Sequence, residues 1–356
     1  MPAEPTTLAL ILTRSWTRRG VVACLLWPLS LLFQAVVALR RKMYAAGWLR
    51  STRLPVPVIV VGNIFIGGTG KTPLTIWLVE ALRHAGYVPG VISRGYGVDG
   101  ADGAVVRAVH ADASAQQVGD EPLLIARRTQ CPVMVGRDRV AAAQALLAAY
   151  PNVNVIVSDD GLQHYAMQRD IEIVLFDARG VGNGWLLPAG PLREPASRRR
   201  DFTVVNAAQP PSEVLRRAAR DVIQMELLGV VAERLCDRSQ RLALTSGLLV
   251  PDTNHQATRI VAAAGIGNPA RFFSMLRAAG LTIDEMALAD HYDFADNPFA
   301  AVLADIILIT EKDAVKCDQI ASLKNDLRLW VVPATARIDE ALAEQIVEKL
   351  RGHTTA

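Results

Sequence analysis

Cysteine is scarce in this chain, and what there is shows no pattern. Cys24, Cys131, Cys236 and Cys317 are the only four in 356 residues, and none forms a CxxC pair. That excludes a cysteine-based zinc site and a disulfide framework, and it fits a reducing compartment. Internal repeats and low-complexity tracts are missing too. Acidic residues are nearly absent from the first 55 positions. Glu4 stands alone there against Arg14, Arg18, Arg19, Arg40, Arg41, Lys42, Arg50 and Arg53, a net +7. The whole chain carries +3, so the remainder carries −4. A basic N-terminus on a mildly acidic body points to an anionic surface. No nucleic acid and no obligate protein partner is expected.

Apolar residues are plentiful. They make up 51% of the chain and mean hydropathy is +0.22, high for a soluble enzyme. The length allows two domains with sizeable cores.

The sharpest local signal is "VIVVGNIFIGGTGKTPLTIWLVEAL", Val58 to Leu82. An apolar run ends in a glycine-rich loop, a lysine, a threonine and a helical pattern. The P-loop motif asks for Gly, four residues, then Gly-Lys-Ser/Thr. Gly70, Lys71 and Thr72 match its end, while Phe65 stands in its first position. The expected ATP cradle is Phe65, Ile66, Gly67, Gly68, Thr69, Gly70, Lys71 and Thr72. Glycines let backbone N–H groups converge on phosphate oxygens, and the helix N-terminus adds partial positive charge. Lys71 would reach the β- and γ-phosphates, and Thr72 would place its hydroxyl on Mg²⁺. A glycine-rich turn before an ordinary helix is the bland alternative, and the strand before and helix after argue against it. Pro73 falls in the first helical turn, where a missing N–H is tolerated.

Between the basic flanks lies "VVACLLWPLSLLFQAVVAL", Val21 to Leu39, 19 residues without a charge. Pro28, Ser30 and Gln34 weaken it as a span, and both ends are positive. A transmembrane helix, an interfacial anchor dipping into one leaflet and a buried core helix are three readings of it. No A-x-A site follows, so a cleaved signal is not expected despite the twin-arginine look of "TRRGVV". An ATP site needs the cytoplasm, which places the body on the cytoplasmic side of a membrane.

Further strands are read at "YVPGVIS", "PVMVG", "VNVIVS", "IEIVLF" and "FTVVN", with helices at "VGDEPLLIARRT" and "RDRVAAAQALLAAY". Apolar strands alternating with helices predict a parallel sheet covered on both faces, with ligands at the strand C-terminal edge. The expected organisation is an α/β fold in four parts. A membrane-associated helical segment covers 1–55 and a P-loop domain 56–220. A two-stranded linker built from "DVIQMEL" and "RLAL" covers 221–247, and a smaller C-terminal α/β domain covers 248–356. Within the last, "DIILITEKDAVKC" and "LRLWVVPA" read as strands and "DEALAEQIVEKLRG" as a helix.

Chemistry gathers in a few loops. In "VNVIVSDDGLQHYAMQRD" a buried strand delivers Asp159 and Asp160, the Walker-B arrangement in which one carboxylate holds Mg²⁺ beside Thr72. Gln163 and His164 follow on the same loop. "GDEP" puts Asp120 at a helix N-terminus, where capping is the plain role. His291 lies in "LADHYDF", a polar loop. "LLPAGPLREP" presents Arg193 and Glu194, and "SRGYG" presents Arg94 and Tyr96. "TEKDAVKC" brings Lys312 and Lys316 near the same edge, where a solvated charged face is the simpler reading.

"GNIFIGGTGKTP", "SRGYG", "GDEP", "SDDGLQH", "LLPAGPLREP", "ADHYDF" and "TEKDAVK" stand in that order. On these seven motifs the chain resembles the tetraacyldisaccharide 4'-kinase family of the lipid A pathway over essentially its whole length. The resemblance implies a P-loop kinase, a transferase that moves the γ-phosphoryl of ATP to the 4'-hydroxyl of an acylated glucosamine disaccharide 1-phosphate, forming lipid IVA. It implies ATP and Mg²⁺, membrane lipids as surroundings, and a place on the cytoplasmic face of the bacterial inner membrane. Lys71 and Thr72 match the nucleotide and metal positions, and Asp159 and Asp160 the paired acidic residues. Asp120 matches the carboxylate proposed as base, and His291 the histidine that assists it. Arg94, Tyr96, Gln163, His164, Arg193 and Glu194 are expected toward the acceptor. A membrane-tethered P-loop ATPase and a nucleotide-sensing scaffold are the competing classes. A kinase would consume ATP slowly without its lipid, whereas an ATPase would not need one.

Overall fold

The computed structural model describes residues 12–95, 105–207, 221–229, 231–244 and 258–352. These form two sheets. The larger has nine strands: β1 (Val58–Gly62), β2 (Pro89–Ser93), β3 (Arg107–Ala108), β4 (Val133–Val135), β5 (Val155–Asp159), β6 (Ile171–Asp177), β7 (Phe202–Asn206), β8 (Val222–Leu228) and β15 (Thr335–Ile338). Their order is β15-β8-β7-β6-β1-β5-β2-β4-β3. Only the outermost pairings, β15 to β8 and β3 to β4, are antiparallel. β1 lies at the centre, its Val-Ile-Val-Val run buried on both faces between β5 and β6. β-branched residues suit such a doubly covered strand.

After β1 the chain crosses to β2 through α2 (Lys71–His84), and after β5 it returns to the other side of β1 and continues through β6, β7 and β8. The glycine-rich loop thus leaves the sheet where its winding reverses, the position such sheets offer to ligands. α2 buries Leu74, Ile76, Leu78, Val79 and Leu82, and ends on Gly86 at φ +87°. α4 (Asp120–Thr129) and α5 (Arg139–Ala149) cover the same sheet, with the short α3 (Ala115–Val118) before them. Asp138 caps α5 by accepting from the Val140 and Ala141 amides.

The smaller sheet runs β10 (Arg241–Ala243), β9 (Val231–Arg234), β14 (Leu329–Val332), β13 (Ile306–Thr310), β11 (Ile260–Ala264), β12 (Asp284–Ala287). α6 (Pro269–Ala278), α7 (Glu311–Cys317) and α8 (Ala321–Lys324) belong to this lobe. The strand expected through "DIILITEKDAVKC" stops at Thr310. Its hydroxyl accepts from the Asp313 amide and donates to the Asp313 carboxylate, a cap that starts α7.

The strand pairing also differs from the expected linker. β8 does not pair with the "RLAL" strand. It joins the large sheet beside β7, while "RLAL" supplies β10, which pairs with β9 in the small sheet. A two-stranded connection exists, but its partner is β15, which pairs antiparallel with β8 after the chain has returned from the small sheet. The last helix, α9 (Glu340–Gly352), then packs on α2 of the first lobe.

The apolar N-terminal segment is a 25-residue helix, α1 (Val21–Ala45). A buried core helix is ruled out, because its Val21 and Leu25 are 77% and 76% exposed. One stripe of it does meet the body: Ala23, Leu26, Ser30, Phe33, Val37, Arg41 and Tyr44 are wholly or partly covered. Ser30 Oγ donates to the Leu186 carbonyl at 2.7 Å, and Trp27 meets Trp185 with ring centroids 6.1 Å apart. The opposite face exposes Leu25, Leu29, Leu32, Val36 and Leu39.

The two faces of helix packing should separate in experiment. Leu78→Ala empties part of the core and is expected to cost about 2–5 kcal/mol. Leu25→Ala is expected to change stability by less than about 0.5 kcal/mol yet weaken sedimentation with anionic liposomes. Urea unfolding and liposome pelleting check both, and a Leu25→Ala protein as unstable as Leu78→Ala would mean that the outer face is packed.

Candidate active site

Gly62, Ser93, Asp159, Asp177 and Asn206 are the last residues of β1, β2, β5, β6 and β7, so all five stand on one edge of the large sheet. The phosphate loop leaves from that edge. Gly67 and Gly70 have φ of +96° and +98°, a region closed to most side chains. A Cβ on Gly70 would also collide with the Asn206 amide. The loop's carbonyls are engaged by side chains. Asn63 Nδ2 donates to Phe65 O at 2.7 Å and Gly67 O at 3.0 Å. Arg179 reaches Gly68 O at 3.1 Å and Asn206 Nδ2 reaches Thr69 O at 2.9 Å. The Ile66 amide is spent on the Pro191 carbonyl, so the anion-facing amides begin at Gly67.

Lys71 Nζ lies 3.2 Å from Asn63 Oδ1 and 3.7 Å from Asp160 Oδ1. Thr72 is half-buried beside it in the first turn of α2, and the hydroxyls that meet Asp159 are those of Thr75, at 3.2 Å, and Ser93, at 3.5 Å. Asp159 is 1% exposed. Burial lifts its pKa to about 7, Glu121 and Asp160 add to the rise, and Lys71 and Arg139 oppose it. Asp160 sits at φ +52°, its Oδ1 buried without a hydrogen-bond partner, with Arg193 3.8 Å from Oδ2.

The second lobe supplies the other wall. Asp120, the first residue of α4, is buried, and its Oδ1 accepts from the Glu121 amide. Its Oδ2 lies 3.0 Å from His291 Nδ1, across 171 positions of sequence. Lys312 and Lys316 of α7 stand 3.8 Å from the same oxygen, and Lys312 also binds Glu121 at 3.0 Å. Burial works against ionisation of Asp120, but the His291 hydrogen bond and the Lys312, His291 and Lys316 charges hold it down at about 2. With Asp120 ionised, His291 Nδ1–H is the donor. That bond raises His291 above the ordinary histidine value, against burial and Lys312. For Lys312, burial is outweighed by Glu121, Asp120 and Asp290, and its pKa rises. Both lysines therefore belong to the site rather than to a solvated face.

The expected acceptor residues divide. Arg193 faces Asp160, and His164 is half-buried with Nε2 unpartnered. Arg94 is exposed at the end of β2, and Tyr96 lies outside the described residues. Glu194 is 1% exposed and is occupied by Gln163, Tyr165 and Arg198, with Arg41 of α1 3.9 Å away. Through Arg41 its carboxylate ties the loop to α1. Sequence reasoning passed over Asp177, Asn206 and Ser93, although each ends an apolar strand on the ligand edge, and it gave no sign of Thr75, Arg179 or Arg271.

A family model described as tetraacyldisaccharide-1-P 4'-kinase matches residues 22–351. Among curated relatives, a tetraacyldisaccharide 4'-kinase of Janthinobacterium sp. (strain Marseille) is 64% identical over 100% of both chains. One of Herminiimonas arsenicoxydans is 64% identical over 99% of both. The fold matches a crystal structure of the apo form of LpxK from Aquifex aeolicus in complex with ATP, at TM-score 0.73 and 26% identity, covering 93% of this chain and 100% of that one.

The Asp120–His291 pair has a measurable signature. The lowered Asp120 pKa stabilises the fold above pH 3.8, and that contribution is lost as pH falls through about 2. The raised His291 pKa stabilises the fold below pH 6.5 and its contribution is lost as pH rises through the folded value. In Asp120→Asn the His291 titration midpoint, followed by NMR, is expected to fall. An unchanged midpoint would mean that the hydrogen bond does not set it.

Proposed function

The chain belongs to the tetraacyldisaccharide-1-P 4'-kinase family, and we propose how its site moves the γ-phosphoryl of ATP to the 4'-hydroxyl of an acylated glucosamine disaccharide 1-phosphate. A bond forms between that hydroxyl oxygen and the γ-phosphorus. The bond from the γ-phosphorus to the β–γ bridging oxygen breaks, and ADP leaves. The observation that carries the reading is the Asp120–His291 hydrogen bond, which builds a proton acceptor from both lobes at once. The pair takes the hydroxyl proton as one unit, with the negative charge of Asp120 stabilising the imidazolium that results. Lys71 moves from Asn63 onto the phosphates and stabilises the charge spread over the transferring group.

Thr72, Asp159 and Asp160 fit a magnesium ion. Asp160 Oδ1 is buried and accepts no hydrogen bond, with Lys71 3.7 Å away, and a carboxylate raised by burial, as Asp159 is, gains most from a nearby cation. When bound, Mg²⁺ supplies charge neutralisation at the phosphate oxygens.

Arg193 and His164 face the acceptor. The helix α1 is read as lying in the plane of the cytoplasmic leaflet of the inner membrane, because one stripe of it, from Ala23 to Tyr44, rests on the body over most of its length of about 38 Å, and a span would have to leave the body. Its exposed leucines and flanking cations give both apolar and electrostatic attraction to anionic lipid. An acceptor with acyl chains meets the ATP site at that surface.

Purified protein is expected to convert tetraacyldisaccharide 1-phosphate and ATP to a lipid with one more phosphate, seen by chromatography, and to release little phosphate from ATP alone. Lys71→Ala is expected to lower kcat/KM by about 10²–10³-fold. Lipid-independent ATP hydrolysis without phospholipid product would instead identify a membrane-tethered ATPase.

A further inference from the structure

Most of the side chains that hold the phosphate loop come from the lobe that carries it. One does not. Arg271, in the first turn of α6, donates NH1 to the Thr69 carbonyl at 3.1 Å and NH2 to Asp177 Oδ2 at 3.0 Å. Asp177 is 2% exposed and also binds Arg179, whose NH2 reaches the Gly68 carbonyl at 3.1 Å. One buried carboxylate therefore organises two guanidinium groups, and these grip two successive carbonyls of the loop. The turn before α6 makes a second approach, since a Cβ on Gly267 would stand 3.4 Å from the Gly68 amide nitrogen. Neither contact touches the Asp120–His291 pair, and the proton transfer described above uses neither.

We propose that Arg271 is a positioning residue for ATP, which sets the Thr69–Gly70 corner of the phosphate loop from the opposite lobe and so ties tight nucleotide binding to docking of the lobes. The proposal rests on the kinase reading of this loop. Its physical basis is that amides can converge on phosphate only if the intervening carbonyls are fixed outward. Asn206 alone would still hold Thr69 O, so losing Arg271 loosens the loop's geometry without unfolding the lobe. Lysine cannot replace it, because a single ammonium lacks the fork that spans the carbonyl and the carboxylate together.

The test measures a fluorescent ATP analogue binding to the full-length protein in detergent without lipid acceptor, alongside steady-state kinetics and thermal unfolding. Arg271→Ala and Arg271→Lys are each expected to weaken nucleotide binding about tenfold, the size of a lost charge-assisted hydrogen bond. The KM for the lipid acceptor and the unfolding midpoint of Arg271→Lys should stay close to wild type. Wild-type nucleotide affinity in both variants overturns the proposal. So does a parallel loss of nucleotide affinity, acceptor KM and thermal stability, which would mark a purely structural contact. Wild-type protein that failed to bind the analogue would instead sink the kinase reading.

Discussion

The 3.0 Å hydrogen bond between Asp120 and His291 exists only while two lobes are docked, and much of the fold serves that docking. One helix pair does most of the work. α4 presents Asp120 and Glu121 at its start and Arg127 and Arg128 toward its end. α7 presents Lys312 and Lys316 to the first pair, and both carboxylate oxygens of its Glu311 accept from Arg128 NH1, at 2.8 and 2.9 Å. A short, charge-assisted pair of this kind, with Glu311 buried, holds the two helices at a fixed distance. Breaking one partner would leave a buried charge uncompensated, so the pair acts as a register pin more than as a source of net stability.

Closure also concentrates charge where the reaction needs it. Lys71, Lys312, Lys316 and Arg193 surround a set of carboxylates whose pKa values are driven apart, Asp120 down to about 2 and Asp159 up to about 7. Groups of one kind thereby take different roles. The Asp120 carboxylate stays ionised beside histidine, and the Asp159 carboxylate carries the cost of burial. On the side of α1, Glu194 joins the same loop as Arg193 to that helix through Arg41, so the helix with the exposed apolar face is continuous with the loop that holds Arg193.

Much of this was legible in the sequence, for reasons tied to local chemistry. β1, the phosphate loop and α2 declare themselves because β-branched burial, glycine φ and helix periodicity act over a few residues. The partnership of β8 with β15 does not, because the partner strand lies about a hundred residues downstream and competes with a nearer, equally plausible strand. α7 was hidden by the Ile-Ile-Leu-Ile run before it, although Thr310 followed three residues later by Asp313 is a readable capping signal. Asp177 and Asn206 belong to no motif and become visible only through the rule that ligands meet strand C-terminal ends. Arg271 carries no local signal at all, since its partners are in the other lobe. Gln163 and Glu194 stand in conspicuous motifs, but the hydrogen bond that joins them is not one the motifs announce.

A double-mutant cycle on kcat for Asp120→Asn and His291→Ala tests most directly whether the docked pair acts as one unit. Each single change is expected to lower kcat strongly with a smaller effect on the KM for ATP, and the double mutant is expected to be much less than multiplicatively worse. Rates that simply multiplied would contradict the account, because they would give Asp120 and His291 independent roles.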